Sequence, residues 1–130
     1  MTFVDPEKKL TVDLRLYAIV DPEHAGSHAL PDLARKIAQG GATLVQLRDK
    51  VHDAADMIAL VRAIKAALPP DVPLIVNDRV DVAQAAGADG VHLGQEDMSV
   101  AQARRILGPV PFIGLRPQAE PVVIEMDLPF

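Results

Sequence analysis

Amide and cationic side chains alternate along one short stretch of the sequence, Gln46-Leu-Arg48-Asp-Lys50. Successive side chains of an extended strand point to opposite faces, so Gln46, Arg48 and Lys50 are expected to lie on one side. Arg binds phosphate oxygens bidentately and Lys adds a point charge, so this group could hold a diphosphate. The alternative interpretation is a strand end whose polar residues are simply solvated.

Two further strand ends carry carboxylates. Asn77-Asp78 ends one strand, and Asp97 comes shortly after His92 at the end of the next. Mg²⁺ prefers one or two protein carboxylates together with substrate phosphate oxygens and water, and Asp78 and Asp97 could supply the carboxylates. His92 alternates with apolar neighbours, so it either faces a pocket or lies hydrogen-bonded inside the fold.

Helix capping is the simpler role for an aspartate that follows a strand. The sequences Asp81-Val-Ala-Gln84 and Ser99-Val-Ala-Gln102 both match a capping box, in which the first side chain binds an amide and the Gln reaches back. We therefore assign the helix caps to Asp81 and Ser99. This assignment leaves Asp78 and Asp97 for the metal.

These residues need an α/β scaffold to bring them together. Apolar runs alternate with segments of helical periodicity along most of the chain. The pattern predicts strands over residues 14–21, 44–50, 73–78, 90–95 and 111–115. Four helices are predicted between them: one begins at residue 30 and ends at Gly40-Gly41, and the others span residues 54–68, 82–86 and 99–107.

Four consecutive strand–helix units favour a parallel sheet, because only a helical crossover returns the chain to pair in the same direction. A (β/α)8 TIM barrel typically takes about 200 to 250 residues. The 130 residues of this chain are therefore expected to form a single domain that holds the first four to five units of such a barrel. A doubly wound open sheet is the alternative, but its Gly-x-Gly-x-x-Gly loop is missing after the first strand.

The composition argues against several classes of partner. Acidic residues outnumber basic ones, 18 to 13, for a net charge of −5, so the chain has no basic surplus for nucleic acid or anionic membranes. There is no cysteine, and no apolar run approaches the roughly 18 residues of a membrane span. The amino terminus lacks the pattern of a secretory signal, so a cytoplasmic location is expected.

Five ordered blocks of sequence are more specific than any single motif. They are Leu16-Tyr-Ala-Ile-Val-Asp21, Gly41-Ala-Thr-Leu-Val-Gln-Leu-Arg-Asp-Lys50, Leu74-Ile-Val-Asn-Asp-Arg79, Ala85-Ala-Gly-Ala-Asp-Gly-Val-His-Leu-Gly-Gln95 with Asp97, and Ile113-Gly114. Together they resemble thiamine-phosphate synthase over residues 14–115. The resemblance implies a transferase of thiamine biosynthesis that joins hydroxymethylpyrimidine diphosphate to thiazole phosphate and releases diphosphate.

The resemblance also assigns roles to individual residues. It implies that the pyrimidine diphosphate is bound by Gln46, Arg48, Lys50 and Asn77, and that Mg²⁺ on the leaving group is held by Asp78 and Asp97. His92 and Tyr17 are weaker candidates for the same pocket. The implied partners are therefore small-molecule substrates and Mg²⁺.

Residues 116–130 depart from the family pattern. Arg116 stands where the family usually has a Ser or Thr that contacts substrate, and the family's later Lys and thiazole-phosphate loops have no counterpart here. We therefore expect a truncated barrel that binds the pyrimidine diphosphate but turns over poorly. Its open sheet edges could pair with a second copy of the chain.

Two alternatives to the transferase stay open from the sequence. A thiazole tautomerase shares the barrel but performs a proton shift, and it generally lacks the complete diphosphate and metal set. A non-catalytic half-barrel would at most bind diphosphate and Mg²⁺.

Overall fold

The computed structural model describes residues 12–94 and 98–115, which form a parallel sheet with helices packed against it. The strands are β1 (Tyr17–Val20), β2 (Leu44–Leu47), β3 (Leu74–Asn77), β4 (Gly90–Leu93) and β5 (Phe112–Leu115). The helices are α1 (Leu30–Gln39), α2 (Ala54–Ala67), α3 (Val80–Ala86) and α4 (Val100–Leu107). The strands lie in chain order, β1-β2-β3-β4-β5, and every neighbouring pair is parallel.

This arrangement confirms the predicted α/β class and the order of the elements. The strands are shorter than predicted at one or both ends, and the residues after Leu47, Arg48 to Lys50, belong to a loop. Each of the first four strands is followed by one helix, and consecutive helices contact each other. All four helices therefore cover the same face of the sheet.

The main core lies between the sheet and these helices. Every second strand residue points into it, with Val45 and Leu47 from β2 packed with Leu74 and Val76 from β3. The opposite face of β2 and β3 is also buried, since all four residues of each strand are buried. Such two-sided burial is typical of parallel strands.

The outer strands of this part of the sheet are more exposed. Within residues 12–94 and 98–115, β1 pairs only with β2 and β5 only with β4. Ile19 on β1 is 56% exposed and Leu115 on β5 is 50% exposed. Among the described helices, none is long and apolar enough to cross a membrane.

The helix starts show which capping predictions were sound. Ser99 caps α4, and its hydroxyl accepts from the Gln102 amide at 3.2 Å in a complete capping box, as predicted. The prediction for Asp81 is wrong, because α3 begins one residue earlier, at Val80, after Arg79. The Asp81 carboxylate binds the Arg79 guanidinium at 2.8 Å instead. The position of the helix start, one residue before Asp81, thus removes Asp81 from the capping position.

Close approach of β5 requires a glycine in β4. A Cβ built on Gly90 would lie 2.1 Å from the backbone oxygen of Phe112, directly opposite in the register. Backbone cannot move aside as a flexible side chain can. Gly90 therefore has a structural role in the pairing of β4 with β5.

We expect Gly90→Ala to destabilise the protein by about 2 kcal/mol or more, because the added methyl must push the two strands apart. Gly40→Ala is the matched control, since Gly40 has an ordinary helical φ of −77° and its Cβ would meet only atoms at 3.4 Å or more. Urea unfolding of both variants measures the difference. Equal midpoints for the two variants would contradict this role for Gly90.

Candidate anion-binding site at the carboxyl edge of the sheet

Gln46 lies on the face of β2 that points away from the helices, and it is only 2% exposed. Its side-chain amide donates a hydrogen bond to the hydroxyl of Tyr17 on β1. The Tyr17 ring stands edge-on to the His92 ring of β4, with 6.4 Å between the ring centroids. Tyr17, Gln46 and His92, three of the predicted site residues, are thus brought together on one face of the sheet.

Burial in this cluster raises the pKa of the Tyr17 hydroxyl to about 12, although the hydrogen bond from Gln46 opposes the shift. The hydroxyl therefore stays protonated throughout the neutral range. It can donate a hydrogen bond while it accepts the one from Gln46.

Arg48 follows the end of β2 and turns towards β1. Its Nη1 lies 2.9 Å from Oδ2 of Asp21, the residue directly after β1. Asp21 is 8% exposed, and its Oδ1 also accepts from the Glu23 amide at 2.8 Å. Burial raises the pKa of Asp21, but the hydrogen bonds from Glu23, Arg48 and His24 outweigh it and hold the pKa below its usual value. The carboxylate beside Arg48 is therefore ionised.

Lys50 turns the other way, towards β3. Its Nζ lies 2.7 Å from Oδ2 of Asp78, directly after that strand. The alternation of β2 predicted that Arg48 and Lys50 would project to the same side as Gln46. Because the strand ends at Leu47, the two cations follow loop geometry and bind carboxylates on opposite flanks.

Asp78 lies in a tight turn at the end of β3. Its φ is +65°, a conformation that Asp and Asn tolerate better than most residues, and the Arg79 amide donates to the Asn77 carbonyl at 2.7 Å across it. The Asp78 amide bonds to the His92 carbonyl at 2.9 Å. This turn places the carboxylate beside Lys50 and away from a capping position on α3.

Asn77 occupies the inner face of β3 opposite His92 in the register. It is 5% exposed, and its side-chain nitrogen Nδ2 has no hydrogen-bond partner within the described part of the chain. A buried donor without an acceptor costs about 1–3 kcal/mol. This amide is therefore a buried donor that no described residue satisfies.

Asp49 holds the loop that carries Lys50, a role that the sequence did not suggest. Its side chain is buried, Oδ1 accepts from the amides of Val51 and His52 at 2.9 and 3.0 Å, and Oδ2 lies 2.7 Å from His52 Nδ1. Burial raises the pKa of Asp49, but the amide and imidazole hydrogen bonds outweigh it and hold the pKa below its usual value. The loop after β2 is thus fixed by a buried, ionised side chain.

The predicted metal ligands are only partly placed. Asp78 lies at the carboxyl edge beside Lys50, whereas Asp97 falls outside the described residues, as does Arg116. Among residues that are described, Asp21, Glu23 and His24 form a different group with metal-ligand geometry. The Asp21 oxygens are already bound by Arg48 and by the Glu23 amide, so we assign no metal to this group.

The fold and this edge define a parallel α/β protein with an amide on β2, two cations directly after it, flanking carboxylates and a buried amide donor on β3. The family model described as thiamine monophosphate synthase matches residues 16–120. The chain belongs to the thiamine monophosphate synthase family.

Individual relatives agree with the family match. The thiamine-phosphate synthase of Albidiferax ferrireducens is 52% identical over 78% of this chain and 47% of its own length. That of Agrobacterium fabrum is 53% identical over 80% of this chain and 48% of its own length. The chain thus spans about half the length of the curated relatives it matches.

A solved structure supports the same relationship. The thiamine phosphate pyrophosphorylase from Pyrococcus furiosus superposes with a TM-score of 0.69 at 35% identity, covering 78% of this chain and 49% of that one. The five parallel strands therefore correspond to part of that enzyme's fold.

Tyr17 provides a direct check on the buried cluster, because it is the one tyrosine of the chain and there is no tryptophan. Absorbance of the phenolate should show a midpoint near pH 12 in the folded protein, against about 10 in urea. The raised pKa stabilises the fold fully below pH 10, and this contribution is lost as the pH rises towards 12. A folded-state midpoint at 10 would show that the ring is solvated.

Proposed function

We propose that the carboxyl edge of the sheet binds the diphosphate of hydroxymethylpyrimidine diphosphate, and that the chain serves the transfer of its pyrimidine to thiazole phosphate. Membership of the thiamine monophosphate synthase family supports this reaction, as do the relatives named thiamine-phosphate synthase. The supporting observation within the molecule is the position of Arg48 and Lys50 between two acidic strand ends, next to the buried Asn77 amide.

The charges of this edge suit an anionic leaving group. When the carbon–oxygen bond to diphosphate breaks, negative charge grows on the phosphate oxygens. Fixed donors aimed at such charge stabilise the transition state more than the ground state. Arg48 offers a planar set of N–H donors and Lys50 a mobile ammonium group. Together they can keep hydrogen bonds to the phosphate oxygens while the diphosphate leaves.

The amides bind and orient the substrate in this proposal. Asn77 donates from a buried position on the inner face, and Gln46 lies on the same face one layer deeper, held by Tyr17. Hydrogen bonds from fixed amides favour one orientation of the bound pyrimidine diphosphate. Such orientation contributes to the rate of a two-substrate reaction.

The residues present also fit Mg²⁺. Asp78 supplies a hard carboxylate oxygen at the edge where the phosphates would lie, and its side chain is 20% exposed. We propose that Asp78 and Asp97 hold the ion. A bound Mg²⁺ would supply Lewis-acid stabilisation of the negative charge on the leaving group.

We expect Arg48→Ala to weaken the binding of hydroxymethylpyrimidine diphosphate by at least about tenfold, because a charged hydrogen bond contributes about 1.5–3 kcal/mol. Arg35→Ala is the matched control, because it also removes one positive charge. Arg35 lies on α1, where it pairs with Asp32, and not at the carboxyl ends of the strands. Isothermal titration of the three proteins gives the comparison. If both variants bind equally weakly, the loss of affinity is explained by net charge alone, and a binding site at this edge is rejected.

The metal assignment makes a separate prediction. Mg²⁺ should strengthen the binding of the pyrimidine diphosphate in the native chain, and Asp78→Asn should remove most of that gain, since Asn keeps the turn but loses the charge. Asp71→Asn is the control, because Asp71 is exposed before β3, at the opposite edge of the sheet. Titrations with and without Mg²⁺ measure the gain. An undiminished gain in Asp78→Asn would exclude Asp78 as a ligand.

A further inference from the structure

We propose that Asp21 is a positioning residue, which holds the guanidinium of Arg48 in the orientation that binds diphosphate. The inference rests on the proposed function above and adds a residue that does not itself touch the substrate. Asp21 directly follows β1, and the pairing of Val20 with Leu47 brings it level with Arg48 on the neighbouring strand. The Arg48 amide donates to the Val20 carbonyl at 2.9 Å, which fixes the backbone at this point.

The contact is well suited to orienting an arginine. Asp21 Oδ2 lies 2.9 Å from Arg48 Nη1, and the carboxylate is 8% exposed whereas the Arg48 side chain is 42% exposed. A hydrogen bond on the buried side is shielded from water and is stronger than the same bond in solvent. The buried carboxylate therefore acts as the fixed partner, and the arginine extends from it towards the solvent.

Arg48 retains donors for a ligand in this arrangement. A guanidinium has five N–H groups in one plane, and the bond to Asp21 uses Nη1. Within the described ranges, no other side-chain hydrogen bond of Arg48 is found. Nη1 is thus held by Asp21, while the N–H groups of Nε and Nη2 can bind phosphate oxygens.

Asp21 also has a local structural task, which the test must separate from positioning. Its Oδ1 accepts from the Glu23 amide at 2.8 Å and so closes the turn after β1. Asp21→Asn keeps one acceptor oxygen for that turn, but the new NH2 group faces the Arg48 donor. The variant therefore preserves the turn and breaks the contact with Arg48.

Electrostatics alone predicts the opposite result from positioning. Removing a negative charge beside an anion site should strengthen anion binding. If Asp21 positions Arg48, the same substitution should weaken it. The sign of the change thus discriminates between the two explanations.

The test is isothermal titration of the full chain with inorganic diphosphate. We expect Asp21→Asn to bind about tenfold more weakly than the native chain, while Glu23→Gln, which removes an exposed charge two residues away, binds equally or more tightly. In an Arg48→Lys background, Asp21→Asn should cause no further loss, because the guanidinium that it positions is gone. Unchanged or tighter binding by Asp21→Asn, or a loss that persists in the Arg48→Lys background, would overturn the proposal.

A measurement without ligand separates this proposal from the proposed function. Hydrogen exchange of the Arg48 guanidinium, followed by nitrogen NMR, should be slow in the native chain and in Glu23→Gln, and at least about tenfold faster in Asp21→Asn. Equal exchange in all three proteins would overturn the positioning role. Slow exchange in a native chain that binds no diphosphate would instead reject the proposed function.

Discussion

Parallel pairing of the strands in chain order is the constraint on which the candidate site depends. All carboxyl ends meet at one edge because every described strand runs in the same direction. The register then sets which residues are neighbours, placing Asp21 beside Arg48 and Asn77 beside His92. A shift of one residue in any strand would turn its side chains to the helix face. Gly90 lets β5 approach β4, so it helps to maintain the pairing of the strands whose ends form the site.

Charge is balanced across this edge before any ligand binds. Each cation that follows β2 is paired with a carboxylate from a flanking strand, Arg48 with Asp21 and Lys50 with Asp78. The two pairs differ in burial, since the Asp21 side chain is 8% exposed and that of Asp78 is 20% exposed. A diphosphate would therefore meet an arginine bound to a buried carboxylate and a lysine bound to a more exposed one. Because each cation is paired with a carboxylate, the repulsion between the two cations is reduced when no ligand is bound.

Much of the fold could be predicted from the sequence, because periodicity and the residues that end helices are local signals. The capping box at Ser99 is one such signal, and it is confirmed. The prediction for Asp81 is wrong because α3 begins one residue earlier, at Val80, and the exact start of a helix depends on the loop before it. The opposite directions of Arg48 and Lys50, and the partner role of Asp21, depend on where each strand ends against its neighbours. The sequence pattern of a single segment does not show where that segment ends relative to its neighbours, so these features could be seen only in the structure.

The central claim is that the carboxyl edge of this sheet is the site where diphosphate binds. Asn77 is the one asparagine in the sequence, so a chain labelled with nitrogen-15 asparagine gives one side-chain amide signal. Titration with hydroxymethylpyrimidine diphosphate and Mg²⁺ should shift this signal downfield and slow its exchange, because the buried Nδ2 gains an acceptor. Binding that leaves the Asn77 amide unchanged, or no binding at all, would contradict the account.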